Sequence, residues 1–352
     1  MPLISITADE VLARLDQFDT LIDARSESEF GEDRLPGAVN WPSLNDAQRH
    51  LIGTEYKQAS PFAAKKRGAA IVARNIADHI EREVLGKAKD WKPLVYCWRG
   101  GKRSSALALV LDQIGFRVHL LEGGYKAYRR ALTHALELLP QRFNYRVVCG
   151  KTGSGKSRLL GELQALGAQV LDLEALANHR GSVLGLVPGS PQPSQKQFDS
   201  CIWATLRGLA PARPVWVESE SKKVGELRVP EALIVAMRAA DCVRLELPLQ
   251  ARVNLLMQDY DFFVKDPAAF CDRLDALRGL RGNEVVNEWQ KAARSGDLRG
   301  VVQELLLRHY DPVYLQSMQR NFARFPHSPV LAPNDGDADT LAHLAASLLA
   351  DG

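Results

Sequence analysis

The stretch YRVVCGKTGSGKS, residues 145–157, decides the fold of the second part of the chain. It begins with an apolar, β-prone run of the kind that builds a buried strand. From Gly150 to Ser157 it matches G-x-x-x-x-G-K-[ST] at every fixed position, and a helical pattern follows. A strand that leads through such a loop into a helix is the setting of a P-loop, whose backbone N–H groups surround phosphate oxygens. The stretch therefore predicts an α/β domain built around a phosphate-binding loop.

The residues of this loop have separate predicted roles. The glycines allow the backbone to wrap a phosphate chain, Lys156 would contact the terminal phosphate oxygens, and the Ser157 hydroxyl would help hold Mg²⁺. The loop recognises phosphates and not bases, so it does not by itself indicate ATP. The predicted phosphate-binding residues are Gly150, Lys151, Thr152, Gly153, Ser154, Gly155, Lys156 and Ser157.

Polar residues that follow the neighbouring strands are candidates for the same cleft. Glu218 and Glu220 stand where P-loop domains usually carry a second acidic strand end, and both a magnesium role and an ordinary strand-end role fit them. Asp172 either lines the cleft or caps a helix. A His-Arg-Gly-Ser sequence beyond it suits contact with phosphate or tRNA. These additional candidates are Asp172, Glu174, His179, Arg180, Glu218 and Glu220.

A second stretch, LVYCWRGGKRSS at residues 94–105, repeats the strand–loop–helix pattern with a cysteine at the end of the strand. Its glycines allow the loop to curl so that N–H groups point inward, and the following helix adds its positive end. These groups, together with the nearby cations, favour a thiolate over a thiol. The stretch predicts a nucleophile beside an anion site, with Cys97, Arg99, Lys102 and Arg103 as candidate catalytic residues.

Strand-like and helix-like segments alternate along both parts of the chain, which predicts an α/β protein of two domains with parallel sheets. Pro140 ends a helical segment that begins near Tyr125, and this indicates a domain boundary between residues 138 and 139. We predict an N-terminal domain, residues 1–138, with helices on both faces of its sheet. Residues 139–352 form the P-loop domain, which reads as almost entirely helical from about Arg252 onwards.

The composition is that of an ordinary globular protein. The 352 residues are 46% hydrophobic with a formal net charge of +3, so nucleic-acid binding would need a local basic patch. The five cysteines show no C-x-x-C pair and no zinc-ligand spacing, which is typical of a reducing compartment. Neither a signal-peptide pattern nor an apolar run of the ~20 residues that span a bilayer is present. These features predict a cytoplasmic protein with no membrane partner.

Two further motifs flank the cysteine loop and make the first domain resemble a rhodanese. DARSESEF at residues 23–30, with LPGAVN at 35–40, is similar to the N-terminal rhodanese motif, and LEGGYKAY at 121–128 is similar to the C-terminal one. Cys97 and Arg103 have a Cys-x5-Arg spacing, however, which resembles rhodanese-like phosphatases and arsenate reductases more than common sulfurtransferases. The wider loop suits a tetrahedral oxyanion or selenophosphate, and plain thiosulfate sulfurtransferase activity is not expected.

A rhodanese-like domain followed by a P-loop domain resembles the tRNA 2-selenouridine synthases, as does LEALANHRGS at residues 173–182. The resemblance implies a tRNA substrate that carries 2-thiouridine at the wobble position. It also implies two co-substrates: geranyl diphosphate, which alkylates the sulfur, and selenophosphate, which supplies the selenium that replaces it. The P-loop then suits the diphosphate donor with Mg²⁺, and the Cys97 loop suits selenophosphate.

Several alternatives stay open at this point. Cys97 either carries selenium covalently or only positions it, and the two donors fit the two domains in either order. A P-loop kinase or ATPase with an accessory rhodanese-like phosphatase or sulfurtransferase domain fits the same motifs. A non-catalytic, nucleotide-gated tRNA-binding protein is a third interpretation. The motifs do not distinguish among individual tRNAs or among oligomeric states.

Overall fold

The structure is a computed structural model, and it describes residues 3–182, 184–186 and 189–350. Its residues group into two compact units. The first unit ends at Leu136 and also takes in Ser194–Ala204, while the second contains Glu137–Pro193 and the chain from Thr205. Each unit is built on a parallel sheet with helices, which confirms the predicted α/β class. The boundary between residues 138 and 139 stays a prediction.

A parallel sheet forms the centre of the first unit. Its strands are β1 (Ile4–Ile6), β2 (Thr20–Asp23), β3 (Val39–Asn40), β4 (Pro93–Tyr96) and β5 (His119–Leu121). The five strands lie in the order β1-β5-β4-β2-β3, and every pairing is parallel. All four residues of the middle strand β4 are buried, which explains its unbroken apolar sequence.

Capped helices connect these strands. Thr7 and Glu10 form a capping box at the first helix, and Ser60 caps the fourth, which begins with a proline whose missing N–H is not needed there. Gly115 ends the fifth helix in the left-handed conformation. The helices are α1 (Ala8–Ala13), α2 (Glu27–Glu32), α3 (Asp46–Gln58), α4 (Pro61–His79), α5 (Lys102–Ile114) and α6 (Gly124–Leu138).

The second unit contains another parallel sheet and a short antiparallel hairpin. The strands are β6 (Tyr145–Cys149), β7 (Gln169–Leu171), β8 (Val215–Glu218), β9 (Lys223–Val224), β10 (Leu227–Arg228), β11 (Asp241–Leu245) and β12 (Val330–Leu331). The five-stranded sheet has the order β12-β11-β6-β8-β7, and β9 pairs with β10 in the hairpin. The P-loop strand β6 is therefore the middle strand of its sheet, as β4 is in the first unit.

The helices of the second unit build two apolar cores. One core lies between the sheet and α7 and α18, and includes Leu159, Trp216 and Leu341. The other is formed by helices alone and includes Phe263 and Trp289. The helices of this part of the chain are α7 (Lys156–Ala165), α8 (Leu173–Leu176), α9 (Gln195–Arg207), α10 (Glu231–Ala239), α11 (Leu249–Asp259), α12 (Asp261–Lys265), α13 (Pro267–Leu274), α14 (Arg278–Arg281), α15 (Asn283–Arg294), α16 (Leu298–Leu305), α17 (Asp311–Asn321) and α18 (Ala338–Ala350). Most of α9 belongs to the first unit.

Most predicted elements are present, with shifts at their ends. The strand predicted over residues 145–149 has these bounds in the structure. The apolar run at residues 170–173 predicts a further strand, but β7 ends earlier, at Leu171, because the Asp172 side chain accepts a hydrogen bond from the Ala175 N–H and starts α8. The C-terminal part is helical as predicted, apart from the edge strand β12. No helix among the described residues combines the length and the apolar character needed to cross a membrane.

Candidate functional site

Cys97 directly follows the middle strand of the first sheet. The thiol is buried, with 3% of the residue exposed. The loop reaches Gly101, where α5 begins, and Gly100 has a φ of 67°, a left-handed value that suits glycine. The carboxyl ends of parallel strands are where α/β proteins bind their ligands. The structure thus places the cysteine loop at the binding edge of its sheet.

The C-terminal rhodanese-like motif holds this loop from the other side. The Tyr125 N–H donates to the Cys97 carbonyl at 2.8 Å, and the Lys126 N–H donates to the Trp98 carbonyl at 3.1 Å. Gly124 has a φ of 58°, and a Cβ atom there would lie 2.2 Å from the Cys97 carbonyl oxygen. Only glycine fits this position. The two motifs quoted from the sequence are therefore parts of one site.

The Cys97 sulfur has two polar neighbours. The Ser104 hydroxyl lies 3.0 Å from Sγ, and it also lies 3.1 Å from the Gly101 carbonyl, to which it can donate instead. The Cys97 thiol in turn donates to that carbonyl at 3.6 Å. A hydroxyl that can turn between the two acceptors would donate to the sulfur once the thiol loses its proton. Ser104 was not among the predicted site residues.

The three cations near the loop have different surroundings. Arg99 and Lys102 are exposed and make no ion pair with another described residue. Arg103 instead binds Glu29, with 2.7 Å between Nη1 and Oε2. Arg103 is thus already paired with a carboxylate of α2, and the action of the three cations on the thiolate stays a prediction. The helix that carries Glu29 comes from the N-terminal rhodanese-like motif.

The N-terminal motif also builds a buried support for the loop. Arg25 binds Asp23 at 2.6 Å, and its guanidinium lies 3.9 Å from the centre of the Tyr125 ring. The Tyr125 hydroxyl donates to Asp33 at 2.7 Å, and the Tyr125 ring stacks with Trp98 at 5.3 Å between centroids. Burial and the neighbouring Asp33 raise the pKa of Tyr125, so its hydroxyl stays protonated as a donor.

The P-loop connects β6 to α7 as predicted. A Cβ atom on Gly150 would lie 2.3 Å from the Ser154 hydroxyl, and Gly155 caps α7 with a φ of 83°. Glycine is thus required at both positions. Lys156, Ser157 and the glycines line a cleft of about 870 Å³, whereas Ser154 is buried. Lys151 is not among the residues that line the cleft, and its ammonium group lies 3.5 Å from Asp311.

Side chains from distant helices brace the P-loop. Arg252 donates to the Thr152 carbonyl at 2.8 and 2.9 Å and binds Asp311 at 2.6 Å, and both residues are buried. The Tyr314 hydroxyl accepts a hydrogen bond from the Gly150 N–H at 2.5 Å. Sequence reasoning missed these three residues. The local sequence signal for this contact was Arg252 itself, an arginine among the apolar residues of α11.

The predicted acidic residues come together at the phosphate cleft. Glu174, Glu218 and Glu220 each place a carboxylate oxygen within 4.8 Å of the others. The Lys156 ammonium group lies 4.0 Å from Glu218, and the Ser157 hydroxyl donates to Glu174 at 3.3 Å. Burial, reinforced by the negative neighbours, raises the pKa of Glu174 to about 9 and that of Glu220 to about 8, and burial also raises the pKa of Glu218.

These carboxylates fit a magnesium ion. The Glu218 side chain is 2% exposed, and its Oε1 atom has no hydrogen-bond partner among the described residues. Oxygen ligands from carboxylates and a hydroxyl are what Mg²⁺ prefers. A divalent cation would also remove the repulsion that raises these pKa values. Ser157, Glu174, Glu218 and Glu220 are therefore the residues that could hold the metal.

The remaining candidates also line this cleft. Asp172 serves as the N-cap of α8, which is the capping alternative stated above. Burial lowers the pKa of His179, and its Nδ1 has no partner among the described residues, so near neutral pH the ring is uncharged. The Arg180 guanidinium donates to the Asp259 carbonyl and lies 5.0 Å from the Tyr260 ring. Of the two neighbours His179 and Arg180, only Arg180 therefore carries a positive charge near neutral pH.

Both units match known families. Residues 7–131 match the family described as the rhodanese-like domain, and residues 143–282 match the tRNA 2-selenouridine synthase AAA domain. The chain is 32% identical to a tRNA 2-selenouridine synthase of Nitrosomonas europaea, covering 90% of this chain and 93% of that one. It is 35% identical to the same enzyme of Marinobacter nauticus, covering 84% and 87%, and 31% identical to that of Alcanivorax borkumensis, covering 85% and 90%.

Proposed function

The chain belongs to the tRNA 2-selenouridine synthases, and from this premise we propose that it replaces the sulfur of wobble 2-thiouridine in tRNA by selenium. The observation that supports this most is the pairing of two anion-binding loops in one chain. One presents the thiol Cys97, and the other presents Lys156 and Ser157 beside buried carboxylates. A reaction with two phosphorus-containing donors needs two such loops. In this proposal the enzyme is a transferase of the cytoplasm.

The first step uses geranyl diphosphate at the P-loop. The thiouridine sulfur attacks C1 of the geranyl group, a C–S bond forms, the C–O bond breaks, and diphosphate leaves. The P-loop N–H groups and Lys156 stabilise the charge that grows on the diphosphate. Bound Mg²⁺ would neutralise part of the same charge. Ser157 and the glutamates would hold the ion beside the P-loop.

The second step uses selenophosphate at the Cys97 loop. The alkylated sulfur is a better leaving group than a thiocarbonyl sulfur, and alkylation makes C2 more electrophilic. Selenium forms a bond to C2, the C2–S bond breaks, and geranylthiol leaves. Water then removes the phosphoryl group as phosphate, which leaves 2-selenouridine. The loop N–H groups would bind the phosphate oxygens, with the exposed cations Arg99 and Lys102 beside them.

The test is nucleoside mass spectrometry of 2-thiouridine tRNA incubated with the protein, Mg²⁺, geranyl diphosphate and selenophosphate. Wild type should yield 2-selenouridine, Lys156→Ala should yield neither product, and Cys97→Ser should stop at S-geranyl-2-thiouridine. The controls are Lys291→Ala and Cys201→Ser, which make the same substitutions at positions outside both loops. A Cys97→Ser protein that makes 2-selenouridine at the wild-type rate would contradict the role of the thiol.

The P-loop kinase or ATPase is the second candidate, because the P-loop and its carboxylates alone fit a nucleoside triphosphate equally well. The same incubation with ATP distinguishes it. Release of phosphate from ATP with an unchanged nucleoside would replace the proposed function by this one. Geranylated or selenated nucleoside in the absence of ATP would exclude it as the main activity.

A further inference from the structure

A narrow apolar cavity lies next to the phosphate cleft in the second unit. It has a volume of about 60 Å³, and most of its lining is aliphatic or aromatic, from α11, α12, α13 and α16 and the turn after α16. Leu184, Phe263, Phe270 and Leu305 contribute to its wall, and all four are buried. The sequence predicts only that this part of the chain is helical, and it gives no sign of a cavity of this kind.

The cavity and the phosphate cleft share part of their walls. Thr152 of the P-loop lines both, and so do Ser182, Leu256, Tyr260 and Tyr310. A Cβ atom on Gly153 would lie 2.8 Å from Leu256, so the P-loop backbone lies directly against the cavity wall. The two spaces are therefore adjacent, so a chain attached to phosphates in the loop would lie close to apolar surroundings.

Aromatic rings form one wall of this cavity. The Phe263 ring stacks on Tyr260 with 6.0 Å between centroids and meets Phe270 at 5.3 Å. Phe263 is 6% exposed and Phe270 is 4% exposed, so both belong to the helical core and not to the surface. Tyr260 also faces the phosphate cleft, which makes this aromatic series run from the cleft into the core.

We propose that this cavity, which is too small for a whole ten-carbon chain, receives the distal end of the hydrocarbon chain of the diphosphate donor while the rest lies along the wall shared with the cleft, and that Phe263 and Phe270 limit the length of the chain. The inference rests on the proposed function and adds the subsite that selects the donor. Burying a methylene group contributes about 0.8 kcal/mol, or roughly fourfold in affinity. Met257, an adaptable side chain of the same wall, can move aside to admit the chain.

The first experiment fills the cavity and leaves the phosphate loop unchanged. Val302 is half-buried on α16 and lines the cavity but not the cleft. For Val302→Phe we expect calorimetry to show geranyl diphosphate binding about tenfold weaker, with inorganic diphosphate binding within twofold of wild type. Val235→Phe, on the exposed face of α10, is the matched control and should change neither. Equal geranyl diphosphate affinities for the two variants would overturn the assignment.

The second experiment enlarges the cavity. For each protein we compare kcat/KM for a fifteen-carbon prenyl diphosphate with kcat/KM for the ten-carbon donor. In Phe270→Leu this ratio should be about fivefold higher than in wild type. A melting curve confirms that the variant is folded, and an unchanged ratio in a folded variant overturns the length-limiting role. If wild type transfers no prenyl group from any donor yet binds the ten-carbon diphosphate more tightly than inorganic diphosphate, the subsite stands and the proposed function fails.

Discussion

The Cys97 loop and the P-loop occupy equivalent places in two different units, and their supports differ. Each follows the middle strand of a five-stranded parallel sheet and leads into a helix. The Cys97 loop is held by backbone hydrogen bonds from a neighbouring glycine motif, and two cations beside it are exposed. The P-loop is held by side chains of distant helices and faces buried carboxylates. The same local geometry thus occurs in two chemically different surroundings.

The brace of the P-loop should be the contact whose loss has the largest effect. Arg252→Ala leaves the buried Asp311 with only the longer 3.5 Å contact to Lys151 and takes both guanidinium donors from the Thr152 carbonyl, and it should lower the free energy of unfolding by about 3 kcal/mol. Chemical denaturation measures this value. Arg308→Ala, which removes an exposed ion pair with Glu304, should change it by less than about 1 kcal/mol. Similar losses in both variants would contradict the bracing role.

The glycine clamp of the Cys97 loop gives the next prediction. In Gly124→Ala, the new Cβ meets the Cys97 carbonyl and the residue keeps a left-handed φ, so the loop must move. We expect selenation of S-geranylated tRNA to fall about a hundredfold while geranylation stays within about threefold. Gly53→Ala, where a Cβ meets nothing within 4 Å, is the control. Equal losses in both half-reactions would show that the two loops are not independent.

The carboxylates beside the P-loop predict a dependence of stability on pH. Glu174 and Glu220 have pKa values of about 9 and about 8 in the folded protein, above the ~4.3 of free glutamate. Between the pKa of free glutamate and the raised pKa values of the folded protein, the folded protein binds more protons than the unfolded chain. Its free energy of unfolding therefore decreases as pH rises through this window. Without Mg²⁺, Tm should fall by about 3 °C or more from pH 6 to pH 9.

Glu220→Gln removes one of these titrating groups and should flatten the Tm profile, whereas Glu231→Gln, at an exposed position, should leave it unchanged. Adding Mg²⁺ to wild type should flatten it in the same way, because the ion replaces the bound protons. A wild-type profile that rises from pH 6 to pH 9 would show that the carboxylates are ionised in the folded protein.

The smallest expected effect concerns Ser104. Its hydroxyl lies 3.0 Å from the Cys97 sulfur and stabilises the thiolate by one hydrogen bond, whose loss corresponds to about 1 kcal/mol. Ser104→Ala should therefore slow alkylation of Cys97 by iodoacetamide about fivefold near neutral pH, as followed by mass spectrometry. Ser105→Ala, one position along α5, is the control. An unchanged alkylation rate in Ser104→Ala would mean that the hydroxyl donates to the Gly101 carbonyl throughout.

Continuous motifs were predicted with the best accuracy. The β6 strand, the P-loop and the start of α7 agree with the sequence within a residue, because each depends on neighbours a few positions away. The capping alternative for Asp172 was also visible, since a cap is a local hydrogen bond. The partner of Arg103 was not visible, because Glu29 lies on another helix 74 positions away.

The sequence by itself determined the two α/β units. It also determined that a cysteine follows a strand in the first unit and that a phosphate loop follows a strand in the second. Local hydrogen bonding, glycine conformation and apolar patterning suffice for these. The tertiary structure alone decided that three glutamates meet beside Lys156 and that Arg252 and Asp311 brace the P-loop. It alone also decided that an apolar cavity shares part of its wall with the phosphate cleft. Those features join residues far apart in the chain, whose proximity depends on the order of the strands and the packing of the helices.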